Sequence, residues 1–237
     1  MSLALLFSCE NATCAIPEAY REFFVGSEEV VTSTQGWEPG ALNLAQACAM
    51  RFRTPLVHGE VTRLLLNYEE PADDHWSEIA MKLPEATRKK LIDRHWRTYR
   101  QLLRNRIAED LRRHTILLHC MIHTSPHEEG LILLESGRSA PLAEAIAAAW
   151  VKQMSSLDLD IRAVPNSDLS DLSNDLFKDQ SATRYAQIHL RVAQSFFLEG
   201  KPWRWETLKK KLLDALATIT QDPESFSGLT APSSDPR

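Results

Sequence analysis

Two short stretches of this chain carry side chains able to do chemistry: Ser8-Cys9-Glu10-Asn11 and His119-Cys120-Met121-Ile122-His123. Each adjoins an apolar run of the kind that forms a strand, so each is expected at a strand end. His119 and His123 are four apart, which on a helix would make a metal pair. On a strand the same spacing keeps both on one face but sets them ~13 Å apart along the axis, too far to share an ion. His119, inside the apolar run, reads as a core histidine with satisfied partners. For His123, at the end of the run, a site role and a structural role weigh equally.

The elements that must position these residues follow from periodicity and punctuation. Residues 2–9 read as a strand, 17–24 as a short helix opened by Pro17, and 41–53 as an alanine-rich helix. Residues 55–58 and 62–68 read as two further strands. Residues 69–82 read as a loop or irregular helix, and 84–113 as the longest helix, striped by Leu91, Trp96, Tyr99, Leu103 and Ile107. The continuous apolar run 115–122 predicts a central strand buried on both faces, ended by a turn at His123-Thr124-Ser125-Pro126. Strands at 131–134, 160–164 and 185–192, and helices at 141–154 and 203–220, complete the pattern, with a polar loop at 166–180. Strands and helices alternate almost throughout. That order predicts a single α/β domain over residues 1–221, its mostly parallel mixed sheet flanked by helices on both faces. Residues 222–237, rich in Pro and Ser, read as a disordered tail. Ligands of such sheets sit beyond the carboxyl ends of the strands.

Composition narrows the function. A net charge of −5 over 237 residues gives no electrostatic case for nucleic acid or an anionic membrane. The apolar run at the N-terminus is too short for a signal peptide, and no segment approaches the ~18 apolar residues of a membrane span. Cys9, Cys14, Cys48 and Cys120 fit no metal knuckle and no disulfide framework, so they read as reduced thiols of a cytoplasmic protein.

Several motifs, in order along the chain, carry a resemblance. Ser8-Cys9-Glu10-Asn11 with Ile16-Pro17-Glu18-Ala19-Tyr20 is similar to S-C-E-H-G-G followed by I-P-x-x-Y. Gly36-Trp37-Glu38-Pro39-Gly40-Ala41-Leu42 is similar to G-W-D-P-G-A-L, and Val61-Thr62-Arg63-Leu64-Leu65-Leu66-Asn67 to V-S-R-L-V-V-D. Leu118 to Thr124 follows L-H-L-S-V-H-S, and Arg184 to Leu190 follows R-Y-L-G-I-E-L. These are motifs of the N-formylglutamate amidohydrolases, which the chain resembles from Leu5 to about Gln194. The resemblance implies a phosphorylase/hydrolase-like fold shared with zinc carboxypeptidases. It also implies a zinc-dependent hydrolase with about three protein ligands, a carboxylate base and an arginine for the substrate carboxylate.

On that resemblance the catalytic positions are Glu10, Arg63 and His189, the substrate-binding positions Arg63 and Asn67, and the metal positions Glu38 and His123. The departures are concentrated at the same places. Asn11 stands where the family has a histidine, Glu38 and Asn67 where it has aspartates, and His189 and Arg191 where it has glutamates. Glu69 and Glu70 replace an asparagine-arginine pair, which would repel a carboxylate. The scaffold residues Gly36, Pro39, Gly40 and Ala41 are kept. Three readings stand. The first is a degenerate relative, not an efficient deformylase, whose cleft serves binding of a small carboxylate-bearing ligand or scaffolding, with zinc weak or absent. The second is an active metal-dependent amidohydrolase with a ligand set rebuilt from Glu38, His123, His189 and Cys9. The third is a metal-free small-ligand sensor.

Overall fold

Six strands make one mixed sheet, in the order β2-β1-β3-β6-β4-β5. They are β1 (Leu3–Cys9), β2 (Leu56–His58), β3 (Ile116–Ser125), β4 (Leu131–Gly137), β5 (Asp160–Asn166) and β6 (Tyr185–Ala193). The computed structural model describes residues 1–69, 76–126, 129–137, 140–155, 159–166, 183–198 and 200–230. Glu70, the polar stretch 167–182 and the tail residues 231–237 lie outside these. β1, β2, β3 and β6 run parallel, while β4 pairs antiparallel with β6 and parallel with β5. The apolar run assigned to the centre is there: β3 lies between β1 and β6, and its residues from Ile116 to Thr124 are all buried.

Strand alternation divides the core in two. On one face Phe7, Ile116, Leu118, Cys120, Ile188 and Leu190 pack against α2 (Ala41–Phe52), α6 (Pro141–Met154) and α8 (Pro202–Gln221). On the other Leu6, Leu117, Met121 and Tyr185 pack against α4 (Glu85–Leu91) and α5 (Arg97–Arg113). The remaining helices α1 (Glu28–Thr32), α3 (Glu78–Met81) and α7 (Ser195–Leu198) are single turns. The 84–113 helix forms as expected, with one π-helical turn at Ile92–Trp96, and Leu91, Tyr99, Leu103 and Ile107 of its stripe are buried.

Three expectations need correcting. Residues 62–68 form no strand. They make a turn in which Leu65 and Leu66 both donate to the Thr62 carbonyl, while Thr62 and Arg63 donate to the carbonyls of Ala15 and Gly36. A short leucine run satisfies a buried turn as well as a buried strand, and periodicity cannot separate the two. The strand at 115–122 does not end at His123, because β6 pairs with β3 as far as Ser125. His123 and Thr124 are therefore held in the sheet by β6, beyond the last β1 pairing at Met121. Finally, Pro223–Leu229 forms a 3-10 helix whose Phe226 is buried in the first core, so order extends past Gln221.

Candidate metal centre

The carboxyl ends of β1, β3 and β6 bring the site together on the second face of the sheet. Glu10 follows β1; His123 lies on β3; His189 lies on β6 beside Met121. Gly59, just after β2, closes against this end: its N–H donates to the Cys9 carbonyl, and a side chain there would stand 2.0 Å from the backbone carbonyl oxygen of Glu10. Glu10, Asn11, Glu38, His123 and His189 are all at most 5% exposed.

His123 is the hub. Its Nδ1 lies 3.1 Å from Glu38 Oε2 and 3.5 Å from Glu69 Oε1. Its Nε2 lies 3.2 Å from His189 Nδ1 and 3.9 Å from Glu10 Oε2, with the two rings within 4° of parallel. Glu38 Oε2 also accepts the backbone N–H of Thr124 at 3.2 Å. The Asn11 amide donates to Glu38 Oε1 at 3.1 Å and to Glu69 Oε2 at 3.0 Å, which ties two carboxylates together. Glu10 Oε1 accepts from the hydroxyls of Ser8 and Tyr99.

Electrostatics follow from this crowding. Burial disfavours charge on His123, yet Glu38, Glu69 and Glu10 around it outweigh that and push its pKa up to about 9. His189, equally buried and facing His123 and Arg191, is held well below the ordinary histidine range and stays neutral. Burial raises the Glu10 carboxyl even though His123 opposes it. Glu38 is buried too, but His123 and the arginines hold its carboxyl below the usual range. Burial, reinforced by the same acids, keeps Cys9 a thiol, and all four cysteines are free.

Of the residues singled out by sequence, Glu10, Glu38, His123 and His189 meet here. Arg63 touches the rim, 3.6 Å from Glu38 Oε1, but its guanidinium is engaged by the carbonyls of Gln35 and Thr34. Removing it loses these charge-assisted hydrogen bonds and the contact to buried Glu38, so Arg63→Ala is expected to lower stability by about 1–3 kcal/mol. A denaturant midpoint equal to that of the unmutated protein would contradict this. Asn67 Oδ1 accepts the backbone N–H of Glu69 at 3.2 Å and so shapes the loop that carries Glu69. His119 has both ring nitrogens bonded, to Tyr185 and Ser8, as befits a core histidine.

Sequence reasoning missed Glu69. Among the described residues Glu69, His123 and His189 form a group whose ligand atoms all lie within 4.8 Å of one another. Two imidazoles and one carboxylate are a donor set that suits a catalytic zinc, with a fourth position left for water. Two nitrogens bound ~2.0–2.1 Å from one tetrahedral ion stand roughly 3.3 Å apart, close to the separation of His123 Nε2 and His189 Nδ1. Glu38 on the other nitrogen of His123 supplies the carboxylate–histidine support usual for a ligating imidazole. Glu10 Oε2 and Asn11 Oδ1 are buried with no hydrogen-bond partner. The residues present therefore fit a divalent cation.

The fold is that of the N-formylglutamate amidohydrolases. The solved N-formylglutamate amidohydrolase from Ralstonia eutropha JMP134 matches with a TM-score of 0.63, covering 94% of this chain and 95% of its own at 14% identity. The gene product Atu2144 from Agrobacterium tumefaciens matches with a TM-score of 0.75, covering 93% of this chain and 91% of its own at 17% identity. No family model and no curated protein matches the sequence. At these identities the likeness establishes the fold, and the chemistry rests on the site. No helix among the described residues is long and apolar enough to cross a membrane.

Proposed function

We propose that the chain is a divergent metal-dependent amidohydrolase: it holds a divalent cation, zinc by its donor set, on Glu69, His123 and His189, and is not an efficient N-formylglutamate deformylase. The observation that carries this reading is the pair of buried histidine nitrogens 3.2 Å apart beside a carboxylate, with acids in excess around them. Three carboxylates are poorly balanced by His123 and the rim arginine Arg63, and a dication redresses the imbalance. A zinc ion so held polarises a carbonyl and lowers the pKa of a water it binds.

The protein groups divide the remaining work. Glu38 fixes the His123 ring, and Asn11 spans Glu38 and Glu69. Glu10, with one oxygen held by Ser8 and Tyr99 and the other bare, is the carboxylate able to accept and return a proton. Arg63, spent on backbone carbonyls, no longer offers a fork to a substrate carboxylate, which counts against the dicarboxylate N-formylglutamate. The free cysteines favour a reducing, cytoplasmic setting. The test is hydrolysis by zinc-loaded protein of N-formylglutamate and of a panel of small N-acyl amino acids and N-acyl amines. Formate release far below the ~10 per second of a median enzyme, with faster cleavage of another amide, is expected. Deformylation at the median rate, or no amide cleaved at all, would refute the reading.

A further inference from the structure

Beneath the metal centre the sheet carries a second, fully interior polar layer. Ser8 on β1, His119 on β3, and Tyr185 and Gln187 on β6 lie side by side on the face that bears Glu10, His123 and His189. They form one hydrogen-bonded series. Ser8 Oγ lies 2.9 Å from Glu10 Oε1 and 2.9 Å from His119 Nε2, and His119 Nδ1 lies 2.7 Å from the Tyr185 hydroxyl. That hydroxyl is 3.3 Å from the Gln187 amide oxygen, and the amide nitrogen is 2.9 Å from His189 Nε2. The series ends at His189 Nδ1, 3.2 Å from His123 Nε2.

A hydroxyl has one proton to give, and a neutral imidazole one N–H, so such a series runs in one direction. As a carboxylate, Glu10 accepts at Oε1 from both Tyr99 and Ser8, which uses the Ser8 proton. His119 must then carry its N–H on Nε2 and donate to Ser8, leaving Nδ1 bare to accept the Tyr185 proton. The Tyr185 oxygen has only lone pairs left for Gln187. The oxygen and nitrogen of an amide exchange places without a change of shape, and the hydrogen bonds decide between them. Within this series, NH2 toward Tyr185 and oxygen toward His189 is the orientation that continues it to His189. His189 then keeps its proton on Nε2, and its Nδ1 faces His123 as a lone pair.

We infer that Gln187 is a positioning residue for the cation site: aligned by Ser8, His119 and Tyr185, its amide oxygen holds the His189 proton on Nε2 and keeps Nδ1 free to bind the ion. The inference rests on the cation site proposed above, and two measurements separate the failure of one from the failure of the other. The first uses metal-free, unmutated protein with 15N-labelled histidine rings, whose NMR spectrum distinguishes the two ring tautomers. His119 and His189 should both be protonated on Nε2; His189 protonated on Nδ1 overturns the inference whatever the metal affinity. The second is zinc affinity, by chelator competition, of the unmutated protein, Gln187→Leu and Gln187→Glu. Leucine removes the acceptor, whereas glutamate supplies one that needs no alignment. Gln187→Leu should bind zinc 10–100-fold more weakly, and Gln187→Glu at least as tightly as the unmutated protein. Equal affinity in Gln187→Leu, or equal weakness in both variants, overturns the role of Gln187 while leaving the cation site intact. No zinc binding by unmutated protein overturns the site and this role together, even with the expected tautomers.

Discussion

His123→Ala is expected to abolish zinc binding and to destabilise the metal-free protein by about 3–5 kcal/mol, the range for breaking a buried ion pair from one side. The size of the effect follows from what surrounds the ring. His123 is 0% exposed, and Glu38, Glu69 and Glu10 all face it. Taking it away leaves three carboxylates with Arg191, paired with Glu135, and Arg63, engaged by backbone carbonyls, as the cations acting on Glu38. Asn11 cannot compensate, since its amide already serves Glu38 and Glu69. Urea unfolding of the metal-free variant and a zinc titration of the folded variant measure the two effects separately. A variant as stable as its parent would mean that the acids are not organised around His123.

The second large effect is a dependence of stability on pH that zinc should remove on one side. His123 has a folded pKa of about 9 against 6.5 for a free imidazole. A raised histidine contributes its full stabilisation below the unfolded pKa, and this is lost as pH rises through the folded one. The loss between pH 6.5 and 9 is about 3 kcal/mol at ~1.4 kcal/mol per pKa unit. His119 is opposite in sign. Burial holds it to about 3, so below 6.5 the unfolded chain takes a proton that the folded one refuses. His189 acts in the same direction. Metal-free protein should therefore melt highest near pH 6.5 and lower on either side. Zinc held by His123 and His189 would compete with the proton on His123, so the rise in Tm on adding zinc should be greater at pH 8.5 than at pH 6. A metal-free Tm that stays level from pH 6.5 to 9 would contradict this account of His123.

Much of the scaffold is legible in the sequence because its signals are redundant. The helix at Pro141–Met154 has a proline at its start and an apolar face, and the central strand is apolar on both sides. The convergence of Glu10 and His123 was foreseeable because Glu10 follows β1 and His123 lies near the carboxyl end of β3, whereas Glu38 arrives from the loop between α1 and α2. Residues 62–68 misled because apolar content without alternation fixes burial and not conformation. Glu69 was misjudged for a different reason. An acid in place of an expected cation reads as a loss of substrate binding when considered alone. Bonded to Asn11 and facing His123, it belongs instead to the group of acids around the buried histidines. Gln187 left a plainer trace: Tyr185, Gln187, His189 and Arg191 alternate along a strand whose other face is apolar, which marks a polar layer inside the fold.

The cation site is the claim on which the rest depends, and metal stoichiometry tests it most directly. Full-length protein should be purified without nickel chromatography, stripped with chelator, reloaded with zinc and desalted, and its metal measured by plasma mass spectrometry. One zinc per chain is expected, falling to near zero in His123→Ala and in His189→Ala. Less than a tenth of an equivalent in the unmutated protein, or a full equivalent retained by both variants, would contradict a site built from Glu69, His123 and His189.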